Sequence, residues 1–355
     1  MNPRIVAILV VLLVVLGGGA LLYQRQEAAR RPSNAATLGQ ILLKDLKAAD
    51  IASIRITEGK SALTLARKDE RWTLAELGGF PADFTKVRDF VIKAIELKAG
   101  QSEPISDKDR GRLKLDESGT NVEFRGADGK PLRSLVVGKK YFKREVENPD
   151  KAIGDGRFVQ LPSEPAIVYI VGDPLIQATT KTADWIDRSA FQVEKVKTLD
   201  VKFADEKGSY HIERNGDNAD WKLAGLKAGE KLDVSRANAA SYSLGLLDLA
   251  DAQTKEAAKD TGLDKPIEIK AVTLDGLIYD IKVGKLQGEN YFVTFTSSGT
   301  VKADPKDAER TKKLAERQAR EKLLQNYVLL IPKNRLEDTL KKRPAFLEKK
   351  EDRKK

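Results

Sequence analysis

From Ile5 to Tyr23 the chain runs through aliphatic residues and glycine without a single charge. Beyond about residue 42, apolar residues recur at every second position or at every third to fourth. The first pattern predicts a transmembrane helix, because roughly 20 apolar residues cover a bilayer core. Within lipid, a helix also pairs every backbone N–H and C=O inside the segment. A cleaved secretory signal is the competing reading, but such apolar cores usually run only about 7–15 residues. Here Leu21, Leu22 and Tyr23 continue past Gly17-Gly18-Gly19-Ala20, and Tyr23 suits a membrane interface. An uncleaved anchor in contact with the lipid bilayer through residues 5–23 is therefore expected. Gly17, Gly18 and Gly19 are candidates for transmembrane association, since small residues let helix backbones approach closely. The plainer reading, that they only loosen the exit of a tether, stands beside it.

The alternating region nearly repeats itself. Ile51–Ile56 corresponds to Val196–Val201, Trp72-Thr73-Leu74 to Trp221-Lys222-Leu223, and Asp83 to Asp233. Asp128-Gly129 corresponds to Asp275-Gly276, and Val137-Gly138-Lys139 to Val283-Gly284-Lys285. A nearly constant spacing across five landmarks marks a tandem duplication. Each copy opens with a period-two strand, Ile54/Ile56 or Leu199/Val201/Phe203, and turns into a partner strand carrying Leu63/Leu65 or Tyr210/Ile212. A short strand with the tryptophan follows. Asp83 then caps a helix over Phe84–Leu97, with Phe84, Val87, Val91 and Ala94/Ile95 as its apolar stripe. Asp233 caps Val234–Leu249, with Val234, Ala237, Leu244 and Leu247. Further strands surround the Asp-Gly turns and finish each copy at Ile167–Val171 and Tyr327–Ile331. The copies differ by a polar loop near Lys143–Asp155 in the first and a helix over Asp304–Lys322 in the second. Asp304 would cap that helix, with Pro305 at its first position. It either projects from the sheet or docks a partner.

The expected fold class is α+β: an N-terminal transmembrane helix followed by two duplicated antiparallel-sheet-plus-helix repeats. The parts are a cytoplasmic tip (1–4), the transmembrane anchor (5–23), a linker (24–41), repeat 1 (42–188), repeat 2 with a helical insert at 304–322 (189–340), and a basic tail (341–355). Recurrence of Trp72 and Trp221 beside equivalent hairpins makes them core residues of the repeats rather than a sugar-stacking platform. Trp185, between the copies, is the candidate for packing one repeat on the other.

Charge changes this picture little. Lys and Arg number 63 against 53 Asp and Glu, a net +10. Half of that excess lies in the last fifteen residues, so no nucleic-acid partner is expected and the tail reads as a solvated terminus. A strict Lys/Arg count would keep the body in the cytoplasm. The very short tip before the anchor favours its export.

Candidate chemistry is sparse. Without cysteine there is no disulfide framework, thiolate metal site or cysteine nucleophile, and His211 is the only histidine. No metal site built on histidine and cysteine can form. Gly138-Lys139 and Gly284-Lys285 lack the preceding glycine of a phosphate loop and read as repeated strand-to-loop turns. The acid pairs Asp184/Asp187 and Glu145/Glu147 could in principle serve a glycan hydrolase, but acids this frequent pair by accident. No catalytic, cofactor or metal residue is assigned, and an enzyme is not expected.

Ile41-Leu42-Leu43-Lys44-Asp45-Leu46 leads into Ile51–Ile56, then come Arg67, Trp72-Thr73-Leu74 and Val136-Val137-Gly138-Lys139, short structural motifs duplicated behind an anchor. The arrangement resembles a bacterial domain-of-unknown-function family of single-pass, tandem-repeat envelope proteins encoded beside gliding-motility-type ABC transporters. The likeness covers roughly residues 38–340 and departs at the Asp304–Lys322 helix and the basic tail. It implies a non-enzymatic accessory or scaffold at the inner (cytoplasmic) membrane, its body on the periplasmic side, partnered by an ABC-type permease or other envelope proteins. The family supplies no catalytic residues to carry over. The rival expectation is an envelope-polymer-binding module or glycan hydrolase.

Overall fold

The computed structural model describes residues 37–69, 71–188, 192–302 and 307–348. Two compact units emerge. One takes the described residues up to Ala62 together with Arg88–Thr180; the other takes Leu63–Val87 together with the described residues from Lys181 onward.

The first series of elements is β1 (Ser53–Glu58), β2 (Ser61–Lys68), β3 (Arg71–Leu74), β4 (Phe80–Pro81), α1 (Phe84–Ile95), β5 (Ala99–Pro104), α2 (Asp107–Arg112), β6 (Thr120–Arg125), β7 (Pro131–Tyr141), β8 (Gly156–Gln160) and β9 (Ile167–Val171). The second is β10 (Val196–Lys202), β11 (Tyr210–Glu213), β12 (Lys222–Leu223), α3 (Val234–Ser243), β13 (Asp251–Thr254), β14 (Ile267–Thr273), β15 (Leu277–Gln287), β16 (Asn290–Gly299), α4 (Ala308–Leu324), β17 (Tyr327–Pro332) and α5 (Lys333–Leu336). A nine-stranded sheet has the order β4-β3-β2-β1-β6-β7-β8-β9-β5, and an eight-stranded sheet the order β12-β11-β10-β14-β15-β16-β17-β13. Apart from β4, the two orders correspond strand for strand.

Period-two alternation becomes burial because successive side chains leave opposite faces of a strand. In β1, Ile54 and Ile56 point inward and pair with Phe124 and Val122 of β6. In β10, Leu199 and Val201 occupy the matching sites opposite Ala271 and Ile269 of β14. Each such buried aliphatic side chain contributes about 1.5–3 kcal/mol. Gly138 and Gly284 lie within long strands, β7 and β15, rather than at strand ends as expected. A Cβ on Gly138 would meet the Leu113 carbonyl oxygen at 2.5 Å, and one on Gly284 the Thr261 oxygen at 2.2 Å. The residues that follow, Lys139 and Lys285, donate their N–H groups to those same carbonyls. The repeated glycine is thus a close crossing of two chain segments.

These elements overturn the α+β expectation. Two large, mostly antiparallel sheets make the fold and the helices are few. Part of the reason is that β5 and β13 are polar strands without alternation, held by backbone pairing to β9 and β17. The outer side of β5 is itself covered: Gly39 N–H donates to Ala99 O, and Ala99 N–H to Gln40 O, which blunts an exposed edge. No helix among the described residues is long and apolar enough to cross a membrane. The expected anchor at 5–23, with Gly17, Gly18 and Gly19, lies outside the described residues.

Helix boundaries differ as well. Phe84 and Val234, assigned above to the apolar stripes, are exposed. The buried face of α1 is Val87, Phe90, Val91 and Ala94, and that of α3 is Ala237 and Ala240, continued by Leu244 and Leu247. With 3.6 residues per turn, this centres each face on a line through Val87 or Ala237 and leaves the first helical residue at its margin. Helix α3 also ends early, passing at Leu244 into a 3-10 turn. Helix α4 is capped by Asp307, which accepts from the Arg310 N–H; Asp304 and Pro305 lie outside the described residues. It does not project, because Leu314, Glu321 and Leu324 are buried and the helix packs on β16.

Candidate functional site

The second unit carries a groove of about 780 Å³ between α3 and the start of α4. One wall is the solvent side of α3. Asp233 accepts from the Ser235 and Arg236 N–H groups, which fixes the helix start. Ala237 and Ala240 face the sheet, so residues four apart on the other side, Val234, Asn238, Tyr242 and Leu246, are exposed. Tyr242 is 70% exposed and Leu246 40%. Thr339 locks the helix from behind: its hydroxyl donates to Ala240 O at 2.7 Å and contacts Ser243 Oγ at 2.6 Å. Its carbonyl accepts from buried Tyr210, whose hydroxyl pKa burial pushes up.

Arg214 and Trp221 form a rigid end. The guanidinium carbon of Arg214 lies 4.7 Å from the centre of the Trp221 ring, a cation–π distance. Arg214 also donates to Val196 O at 2.8 Å and to the Asp217 carboxylate at 3.0 Å. Trp221 Nε1 donates to Asn238 Oδ1 at 2.8 Å, tying the tryptophan just before β12 to the groove face of α3. Arg214, Asp217 and Asn238 all line the groove.

The opposite wall is α4. Arg310 in its first turn reaches Asp275 Oδ2 at 2.6 Å. Two turns further, Arg317 donates to Glu194 Oε2 at 2.9 Å, so that the residues entering β10 are held to the helix. Beneath lies fully buried Glu321, whose Oε2 accepts from Tyr279 OH at 2.9 Å. Burial raises the Glu321 carboxyl pKa to about 7, against the lowering effects of the Tyr279 hydrogen bond and the Arg317 charge. Arg317 Nε stays 3.6 Å from Glu321 Oε1, and neither atom has a hydrogen-bond partner among the described residues. An unpaired buried carboxylate oxygen costs about as much as a lost hydrogen bond or more, which agrees with a carboxyl that keeps its proton well above the usual range.

The residues singled out in the sequence fall elsewhere or beneath this groove. Trp72, Trp185 and Trp221 are buried. Around Trp185, Asp83 N–H donates to its carbonyl and Asp187 N–H to Pro81 O. Asp184 is exposed and Asp187 half-buried on either side of that ring, while Glu145 and Glu147 are exposed on the β7–β8 loop. His211 is half-exposed; its Nδ1 lies 2.6 Å from Asp200 Oδ1 and its Nε2 3.9 Å from Glu213. A histidine–carboxylate pair becomes a nucleophile's base only with a hydroxyl or thiol within reach. Among the described residues, the hydrogen-bond and ion-pair partners of the His211 ring are these two acids. No group of three or more potential metal ligands occurs among the described residues. Tyr242, Leu246 and Arg310 escaped the sequence reading. The available signal was the i, i+4, i+8 row on each helix that begins with Phe84 or Val234.

Comparison with curated proteins and with solved structures gave no match. The family described as Domain of unknown function (DUF4340) matches residues 72–266. The match begins at the tryptophan of β3, contains all of α3 and the entry to β10, and ends just before β14; α4 lies beyond it. Covering more than half of the 355 residues, this match places the chain in the DUF4340 family.

Proposed function

We propose that this protein is a non-enzymatic docking scaffold of the cell envelope. In this reading it is held at the inner membrane through the apolar run Ile5–Tyr23, with its body on the extracytoplasmic side, and acts as an accessory of an ABC-type export system of the gliding-motility kind. The observation that carries it is the groove face of α3. An exposed tyrosine on the capped helix α3 and an exposed leucine on the 3-10 turn that continues it stand against a second helical wall. Exposed apolar side chains gathered in a concavity are a feature of partner sites.

Co-purification tests this. The full chain, extracted from membranes in mild detergent, is expected to bring down a multi-span permease and its ATPase. The double variant Tyr242→Ala/Leu246→Ala is expected to reach the membrane at normal level but recover much less of both. Sedimentation of the chain with isolated cell-wall polymer, with no permease recovered, would replace this reading by the polymer-binding one.

A further inference from the structure

The groove continues along α4 into a smaller cavity, of about 360 Å³, that shares Glu194 and Arg310 with it. Its lining is Arg310, Lys313, Arg317 and Arg320 against Glu194 and Glu316. These four cations lie at spacings of three and four residues, which puts them on one face of the helix. Three of them also have acidic neighbours: Asp275 for Arg310, Glu309 for Lys313 and Glu194 for Arg317. Arg320 and, across the groove, Lys195 make no ion pair with a described residue. Together the two cavities are lined by six cations, Lys195, Arg214, Arg310, Lys313, Arg317 and Arg320, against the three acids Glu194, Asp217 and Glu316, and the groove end of this positive lining carries Tyr242 and Leu246.

We propose that the groove takes an acidic amphipathic segment of a partner protein. Its apolar side chains would lie on Tyr242 and Leu246, and its carboxylates toward Arg320, Lys195 and the rest of the α4 stripe. This rests on the docking reading above and adds the chemistry of the partner. Guanidinium groups match carboxylates in a two-pronged geometry, and an amphipathic helix laid into a groove is a recurrent recognition mode. A second copy of this chain fits poorly, because the chain carries a net +10 and would bring like charge to like. A flat lipid surface fits a concavity between two helices less well than a single peptide segment does.

The test uses the full chain in neutral detergent micelles and two labelled probe peptides of identical leucine spacing. One carries glutamate at every polar position and the other lysine. The acidic probe is expected to bind and the basic one not. Tyr242→Ala and Arg320→Glu, both at exposed sites, should each weaken acidic-probe binding by about tenfold or more, and added salt should weaken it further. Equal binding of both probes, or acidic-probe binding unchanged by either substitution, overturns the proposal. So does displacement of the acidic probe by phosphatidylglycerol vesicles but not by phosphatidylcholine ones, which would make an anionic lipid surface the occupant. The two readings fail separately. If Tyr242→Ala/Leu246→Ala loses the permease while the acidic probe never binds, the docking reading stands and only the partner's chemistry is wrong. If the probe binds as expected while permease recovery is unaffected, the groove's chemistry stands and the export-system partner is wrong.

Discussion

The helix that follows the tryptophan strand stands in two different settings. In the first strand order, α1 presents Phe84, Arg88 and Ile92 to solvent, and Glu96 just past its end continues the row; in the second, α3 presents Val234, Asn238 and Tyr242, and Leu246 of the following 3-10 turn continues it. Both rows begin with an exposed apolar residue beside an aspartate cap. What separates them is the connection between the last two strands before each edge strand, β5 or β13. Six residues, 161–166, join β8 to β9, whereas α4 lies between β16 and β17. The repeated Asp-Gly turn shows the consequence. Asp128 is 60% exposed beside Lys130, while Asp275 is 18% exposed and grips Arg310 of α4. Of the two corresponding strand orders, only the second has the helical wall, and there the Asp-Gly turn anchors it. The exposed row that begins at Val234 forms one side of a groove through Asn238, Tyr242 and Leu246.

The sharpest way to probe this difference is through the residues under the groove. Trp221→Ala is expected to lower stability by about 3–5 kcal/mol, the usual range for deleting a buried large aromatic, and to release Asn238 and Arg214. Trp72→Ala should cost a comparable amount in denaturant titrations yet leave acidic-probe binding by the folded protein unchanged. Loss of probe binding in both variants would mean that the groove is not a property of the second repeat.

Glu321 belongs to the second repeat alone and gives a pH signature. Its folded pKa of about 7 exceeds the ordinary 4.5, so the folded chain keeps a proton that the unfolded chain has released. This group's contribution is full below about 4.5 and is lost as pH climbs through about 7. At 1.36 kcal/mol per unit, the loss amounts to about 3 kcal/mol. Glu321→Gln keeps a partner for Tyr279 without the titration. The gap in melting temperature between variant and parent should therefore widen in the variant's favour from pH 4.5 to 7.5. A constant gap would show that the carboxyl under α4 does not titrate in that window.

Gly138→Ala and Gly284→Ala test what the repeats share. Each new methyl group would press on a carbonyl oxygen of the crossing segment, and each substitution should cost about 1–3 kcal/mol, the range for overpacking. Tolerance at only one site would break the correspondence of the two crossings. The smallest effects belong to the rows themselves. Ile92→Ala and Tyr242→Ala should each stay within about 0.5 kcal/mol of the parent, as exposed substitutions do. Only the second should reduce partner recovery.

Much of the scaffold was legible from local rules. Alternation at Ile54/Ile56 and Leu199/Val201 marks strands because side chains leave a strand on alternate faces. Asp83 and Asp233 mark helix starts because a short acidic side chain accepts the first free N–H groups. The near-constant spacing of tryptophans, Asp-Gly turns and Gly-Lys pairs marks the duplication. Other features depended on contacts far apart in sequence. The edge strands β5 and β13 hold through backbone ladders that any residue type can make, so their composition hides them. Phe84 and Val234 fit a helical stripe by spacing alone, and only packing against the sheet set where the buried face is centred. Gly138 and Gly284 read as turns until the chain crossing them was in place. The groove needed most of all: Arg310 meets Asp275, Arg317 meets Glu194, and Glu321 is buried under Tyr279, each across dozens of residues. Local pattern therefore determined the repeated strands and helix starts, because periodicity and capping act over a few residues. Tertiary structure alone decided that α4 lies down on the sheet and walls the groove, because charge pairing and burial depend on which distant segments meet.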